Sequence, residues 1–416
     1  MRKIHQKNTV RYFIILIALL FFLFLSGDFG LIDVQKTAII MAVGIDREDD
    51  TFIVTSQIAV PNASDQGKST ETVQIVSRGK TVADAFEEIN AKTGWYPKLV
   101  FCRLIVLGEK TTQFNVIDAL DFFLLDEYLS DNCLLATCQG YAKDILNVKA
   151  LVDASGSVAI QKVLSPHAQR VGTVLPSTLR EFSIGYYSES KSGFLPVLKT
   201  QPQQEQIGTS QNESGVAGGQ NEQNGQQSPS SQEQSGKSGQ GGQGENEKPV
   251  FSASETALFY AGKQVAKLTE EETFAFNAVK NKLRLASYSV ETDKAAYSLS
   301  VKRNDTKTVC KLAKDGAVAY KIELTLSAGL LDCSKAFSKT EGIDAGDTPS
   351  EVFSSAEKLL SAQISSTFEK ARTSGCDIFE VLEHLQKREK RRFQAVKNTA
   401  LSKTTLEISV RFRSVR

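Results

Sequence analysis

The spacing of hydrophobic positions changes several times along the chain, and each change marks an element. Tyr12 to Leu25 (YFIILIALLFFLFL) is continuous apolar sequence, with no charge between Arg11 and Asp28. Ala38 to Ile45 (AIIMAVGI) and Thr51 to Val60 (TFIVTSQIAV) read as two strands of a hairpin about the acidic stretch Asp46 to Asp50. That stretch lacks the glycine and the bidentate glutamate of a calcium loop and is expected to be a solvated turn. Pro61 to Thr70 is polar and loop-like, and Thr72 to Ser77 is a further short strand. Thr81 has the character of an N-cap, with Asp84 three residues on and Val82, Phe86 and Ile89 on one helical face. Leu99 to Leu107 (LVFCRLIVL) has the pattern of a strand covered on both faces, with Arg103 at an edge or paired. Phe114 to Leu125 reads as a helix and Cys133 to Gln139 as a strand, and helix-like and irregular segments run from Ala142 to Lys199. The alternation predicts a mixed sheet covered by helices.

The pattern stops abruptly at Gln201. From there to Lys248 the chain is almost wholly Gln, Gly, Ser, Asn and Glu. Such a segment buries too little apolar surface to offset the entropy of ordering and is expected to be a disordered spacer. Periodicity resumes near Val250. Thr256 to Tyr260 and Lys263 to Ala266 flank a tight turn at Ala261-Gly262, and Thr269 to Glu272 (TEEE) has the form of a capping box ahead of Phe274, Phe276 and Val279. Segments at 286–291, 296–301, 306–312 and 318–326 alternate as antiparallel strands with one wet face. A long helix follows, with Thr348 as cap, Pro349 at the first helical position and Gly375 as stop. Val352, Phe353, Ala356, Leu359, Leu360, Ile364, Phe368 and Ala371 repeat along it at helical spacing. Asp377 is expected to cap a further helix with Glu380 completing the box, and Thr405 to Arg413 (TLEISVRFR) to form a last strand with Leu406, Ile408, Val410 and Phe412 on one face.

The apolar leader Tyr12, Phe13, Ile14, Ile15, Leu16, Ile17, Ala18, Leu19, Leu20, Phe21, Phe22, Leu23, Phe24 and Leu25 follows Arg2, Lys3, Lys7 and Arg11, with no acid to balance them. It is short for a spanning helix, which usually takes roughly 20 apolar residues. The basic flank should remain cytoplasmic and place the rest of the chain on the far side of a membrane. Leu25-Ser26-Gly27 has the form that precedes the modified cysteine of a lipoprotein, but Asp28 follows, and a carboxylate cannot form a thioether. No lipidation is therefore expected, and with no small-x-small cleavage pair the leader reads as an uncleaved anchor.

These segments predict a multidomain α+β protein of mixed sheets and packed helices behind a membrane anchor. The anchor occupies 1–28, a first α+β domain 29–200, the linker 201–249 and a second α+β domain 250–416, with a further division near residue 330 as an alternative. A formal net charge of +1 over 416 residues gives no electrostatic case for nucleic acid. The six cysteines, Cys102, Cys133, Cys138, Cys310, Cys333 and Cys376, have no C-x-x-C spacing and read as small buried residues. Only three histidines are present, His5, His167 and His384, and the H-E-x-x-H, G-x-S-x-G and phosphate-cradling glycine patterns are missing. No catalytic residue, metal or cofactor is expected. One basic cluster stands out: Lys387, Arg388, Lys390, Arg391, Arg392 and Lys397. It reads first as a solvated helix end, with contact to anionic headgroups or an acidic partner as the functional alternative.

Several stretches together resemble one family. Thr256 to Phe276 (TALFYAGKQVAKLTEEETFAF) is similar to the most characteristic segment of the C subunit of spore nutrient germinant receptors, the Ger(x)C family. Ala38 to Asp46 (AIIMAVGID), Leu120 to Gly140 with Lys143-Asp144-Ile145-Leu146 after it, and Cys376-Asp377-Ile378-Phe379 lie in matching order. The chain departs from the family in having Asp28 where members carry the lipid-bearing cysteine and Leu125 where an arginine is usual. It also has Asp332 in place of a glutamate, and the basic stretch around Arg391-Arg392-Phe393 in place of a Pro and a Trp. The resemblance implies a non-enzymatic, membrane-anchored subunit in the spore inner membrane. There it would act beside a multi-pass A-type subunit and a transporter-like B-type subunit as an assembly scaffold. An anchored extracytoplasmic solute- or cell-wall-binding module is the alternative.

Overall fold

The computed structural model describes residues 12–21, 37–60, 71–148, 155–165, 170–201, 250–334 and 348–415. The expected loop at 61–70, most of the expected spacer 201–248, and the leader beyond residue 21 lie outside these residues. Residues 12–21 form helix α1.

The first sheet is built around β1 (Thr37–Glu48), whose apolar run is buried from Ala42 to Ile45. On one side β1 pairs antiparallel with β2 (Thr51–Val60), and β2 with β3 (Glu71–Gly79); Asp49, at φ 51, lies in the β1–β2 reversal. On the other side β1 runs parallel to β4 (Tyr96–Lys98) and β5 (Leu104–Leu107), and β5 parallel to β6 (Leu134–Cys138). The short β7 (Ser177–Thr178) pairs antiparallel with the start of β6, and β8 (Ser192–Gln201) lies parallel to its end. Antiparallel β9 (Val250–Tyr260) and β10 (Lys263–Leu268) complete the order β10-β9-β8-β6-β5-β1-β2-β3. Gln201 and Val250 are register partners, so hydrogen bonding carries the sheet across the 202–249 stretch. The β9–β10 turn places Ala261 at φ 48 and Gly262 at φ 78, the pair of left-handed residues that a two-residue hairpin requires.

Helices cover both faces of this sheet. One face packs α2 (Val82–Thr93), α3 (Ile117–Leu125) and α6 (Leu179–Tyr187) through Phe86, Ile89, Leu120, Phe123 and Phe182. The other packs α4 (Ala142–Asn147) and α5 (Gly156–Val163) through Ala142, Leu146 and Ile160. The Thr81 capping box forms as its spacing predicts, the Thr81 hydroxyl accepting the Asp84 N–H at 3.1 Å and the Asp84 carboxylate accepting the Thr81 N–H at 3.0 Å. The stretch 99–107 is not one strand. Cys102 N–H donates to the Leu99 carbonyl at 2.8 Å, which turns the chain so that only 104–107 pair with β1, and Arg103 is exposed. The helix expected from Phe114 starts at Ile117, because the Asn115 side chain accepts the Ile117 N–H at 3.2 Å and stops the backbone short of it.

The second sheet has the order β11-β12-β13-β14 and consists of β11 (Ala286–Glu291), β12 (Ala296–Leu312), β13 (Val318–Cys333) and β14 (Thr404–Ser414). The two runs at 296–301 and 306–312 are one strand with register shifts, and β14 is parallel to β13. α8 (Ser350–Thr373) buries Val352, Ala356, Leu360, Ile364 and Phe368. Its N-cap is Pro349, not Thr348, whose hydroxyl is buried without a hydrogen-bond partner among the described residues; the helix stops before Gly375 at φ 73. α7 (Glu270–Val279) packs on β9 and β10 as well as on β12, β13 and α8, and every residue from Glu272 to Val279 is buried. Its core joins Leu175, Leu258 and Leu268 to Tyr320, Phe368 and Phe379, so one apolar cluster spans both sheets. α9 (Val381–Arg388) and α10 (Lys390–Ala400) follow. The result is a mixed α+β body of two sheets with packed helices.

Candidate interaction surfaces

Two buried carboxylates fix the helix ends that shape the body. Along β1 the alternation that turns Ala42 toward α4 also turns Asp46 there, and Asp46 is 2% exposed. Its two oxygens accept the N–H groups of Ala142 at 2.8 Å and Lys143 at 3.2 Å, the first turn of α4. Burial pushes the Asp46 carboxyl above its ordinary value, against the pull of these donors. The expectation of a solvated turn at 46–50 is therefore corrected for Asp46. β1 extends to Glu48, so this carboxylate stands inside the sheet rather than in the reversal.

Asp377 does cap a helix, by a different offset from the one its spacing suggests. Its carboxylate accepts from Val381 N–H at 2.9 Å and Leu382 N–H at 2.7 Å, while its own N–H donates to the Ser192 hydroxyl at 2.8 Å. Burial raises this carboxyl to about 6. Glu380 does not complete a box; it sits at φ 61 and turns outward to pair with Lys280. The adjacent Cys376 thiol donates to the Phe259 carbonyl at 3.1 Å, and burial pushes it up to about 12. Residues after α8 are thereby bonded to β8 and β9 of the first sheet. A second weld lies at α7, where the Thr269 hydroxyl accepts the Glu272 N–H at 3.3 Å, as the capping-box spacing predicts. Burial opposes ionisation of Glu272, but the Lys370 ammonium, the Thr269 N–H and the Ser366 hydroxyl outweigh it and hold the carboxyl below its usual range.

Beside the Asp377–Ser192 contact lies a cleft of ≈ 350 Å³ lined by α6, the α6–β8 connection and the start of α9. It presents Glu181, Lys280, Lys282, Glu380 and Glu383 with Ser188 and Ser190. Lys282 stands 3.9 Å from Glu181, so its charges are largely paired across the opening. Among the described residues no group of three His, Cys, Asp or Glu side chains converges as a metal would require.

The expected site residues are spread over separate places. In α1 the large apolar side chains from Tyr12 to Phe21 are exposed; Phe22 to Leu25 and Asp28 lie outside the described residues. Among the described residues no helix is long and apolar enough to cross a membrane. The basic cluster divides by partner. Lys387 pairs with Glu383 at 2.6 Å, Lys397 reaches Glu189 at 3.0 Å, and Arg392 donates to the carbonyls of Leu312 at 3.5 Å and Ala313 at 2.6 Å. Arg388, Lys390 and Arg391 are exposed. His384 lies 3.3 Å from the Thr308 hydroxyl, and burial lowers its pKa; His5 and His167 lie outside the described residues. All six cysteines are free thiols. Sequence reasoning missed the role of Asp46, whose signal was its parity with Ala42. It also missed the capping box Thr178–Glu181 that starts α6, legible as T-x-x-E.

The comparisons with known proteins agree with this architecture. Residues 31–200 match the spore germination protein N-terminal domain, and residues 254–415 match the C-terminal domain described as spore germination B3/GerAC-like. Spore germination protein B3 of Bacillus subtilis (strain 168) is 27% identical over 149 residues, which is 34% of this chain and 37% of that relative's length. The crystal structure of the GerBC protein aligns with 90% of this chain and 97% of its own, at TM-score 0.51 and 15% identity, a likeness of fold. The chain belongs to the Ger(x)C family of spore germination proteins.

Proposed function

We propose that this chain is the C-type subunit of a nutrient germinant receptor, held at the spore inner membrane by residues 12–25 with its two-sheet body outside the bilayer. It acts without catalysis, as a scaffold on which a multi-pass A-type subunit and a transporter-like B-type subunit assemble. The observation that carries this reading is that the family's N- and C-terminal domains both match and together cover the two-sheet body. The continuous core and the Glu272–Lys370 and Asp377–Ser192 welds support it, because a scaffold must hold its surfaces at fixed separation. The exposed Arg388, Lys390 and Arg391 supply a cationic face for an acidic partner or anionic headgroups.

The test is an in-frame deletion of the coding sequence. Spores should lose the response to the nutrients read by this receptor and keep the response to others, and the two membrane subunits should fall in abundance on immunoblots of the inner membrane. Normal nutrient response with normal partner levels would overturn the reading. A solute-binding module would instead bind a small charged molecule in the Lys280–Glu380 cleft, detectable by calorimetry on the purified chain.

A further inference from the structure

One end of the first sheet carries a cluster of exposed rings that the fold does not use. Trp95 is 41% exposed, Tyr96 44%, Val100 43%, Phe101 50% and Tyr128 61%. Lys98 stands between two of the rings, its ammonium 5.1 Å from the Tyr96 centroid and 5.0 Å from that of Tyr128. Single exposed apolar residues are ordinary on soluble surfaces, but here two rings flank one lysine and two further exposed aromatics, Trp95 and Phe101, lie three residues to either side of it in the chain. The cluster arises locally. The three residues of β4 pair only with the first three of β1, and the turn at Leu99–Cys102 then presents Val100 and Phe101 outward.

Register fixes its position relative to Thr37, the first residue of β1. Tyr96 is the β-sheet partner of Thr37, and Lys98 that of Ile39. From Asp28 to Thr37 is nine residues, which reach at most about 30 Å when fully extended. The ring cluster therefore cannot stand far from the point at which the apolar leader ends. Tryptophan and tyrosine are the residues that gather where hydrocarbon gives way to headgroups, since each has an apolar body and a polar tip. Lysine suits the same depth, because its stem lies along apolar surface while its ammonium stays wet. Glu127 is exposed next to Tyr128 and Arg103 is exposed two residues after Phe101, so charges of both signs stand near the rings and the attraction rests on the aromatic side chains rather than on a strong cationic field.

We infer that Trp95, Tyr96, Lys98, Val100, Phe101 and Tyr128 form a membrane-interface foot that seats this end of the first sheet on the lipid bilayer. The inference rests on the anchored reading above and adds to it: the leader holds the body near the membrane, and the foot sets which way the body faces. Trp95 is the only tryptophan in the chain and reports on the foot directly.

The experiment uses the full chain reconstituted into vesicles of phosphatidylethanolamine and phosphatidylglycerol, with and without lipids brominated near the glycerol end of the acyl chain. Trp95 emission should shift to the blue, be quenched by the bromolipids and be protected several-fold from aqueous iodide. The triple variant Tyr96→Ser, Phe101→Ser, Tyr128→Ser should lose most of the bromolipid quenching while sedimenting with the vesicles as before. Trp95 emission indifferent to bromolipids in a chain that sediments with the vesicles would overturn the foot and leave the anchor standing; the same result with iodide protection would point to a protein cover instead. A chain that does not sediment with the vesicles would overturn both readings.

Discussion

The carboxylate of Asp46 accepts the backbone N–H of Ala142 at 2.8 Å, tying the end of β1 to the first turn of a helix 96 residues further along. Gly108 is what makes room for it. A Cβ on Gly108 would fall 1.9 Å from Asp46 Oδ1, so no other residue fits there without displacing the carboxylate. Asp46→Ala leaves the buried Ala142 N–H and the part-buried Lys143 N–H without their acceptor and should cost about 2 kcal/mol. Gly108→Ala should cost a similar amount by a different route. Because both act on one contact, the double variant should lose clearly less than the sum, as measured by urea denaturation.

Asp377 should give the body a pH-dependent stability of unusual sign. In the unfolded chain its carboxyl ionises near 3.8, and in the folded chain near 6. Between those values the folded state binds more protons, so this group's contribution is fullest below 3.8 and is lost as pH rises through 6. Asp377→Asn should remove that dependence. The stability difference between wild type and variant should therefore change between pH about 4 and about 7, in favour of the wild type at the acid end. A pH-independent difference would mean that the carboxyl is ionised throughout.

The 202–249 stretch connects two adjacent strands, since Gln201 and Val250 are register partners. Shortening it fourfold removes two doublings of loop length, each worth about 0.6 kcal/mol of closure entropy. The shortened chain should be as stable as the parent or more stable by about 1 kcal/mol, by thermal or urea denaturation. Nutrient response should also survive, and its loss would show that the stretch binds something.

Charge reversal separates the parts of the basic cluster. Glu in place of Arg388, Lys390 and Arg391 should leave folding intact, because these side chains are exposed. It should lower recovery of the membrane subunits with this chain in detergent pull-downs. Arg392→Glu should instead destabilise the body, since Arg392 holds the carbonyls of Leu312 and Ala313 where β12 ends. Equal recovery with the triple reversal would assign these cations to solvent.

Local chemistry was legible in the sequence and distant pairing was not. The boxes at Thr81–Asp84 and Thr269–Glu272 form where four-residue spacing places them, because both partners lie within one helical turn. Asp377 and Glu380 have the same spacing, yet Glu380 takes a left-handed backbone and the helix starts at Val381. Packing of Cys376 against Phe259 and of Asp377 against Ser192 decides that outcome, and those contacts span more than a hundred residues. The same limit hid the continuation of the first sheet through β9 and β10. Composition marks the 201–249 stretch as a break, but strand pairing runs straight across it. The apolar run at 99–107 misled because Leu99 and Cys102 are buried by a turn, which periodicity cannot distinguish from a strand.

β1 is gripped on both flanks, by β2 along Ile39 to Glu48 and by β4 and β5 along Thr37 to Ile45. A pull applied at Thr37 therefore acts along the strand axis and loads the rungs on both sides together, in shear, where an edge strand would peel one rung at a time. Thr37 thus opens a strand held on both sides, so tension applied through the residues before it would drag the whole body before it unravelled the sheet.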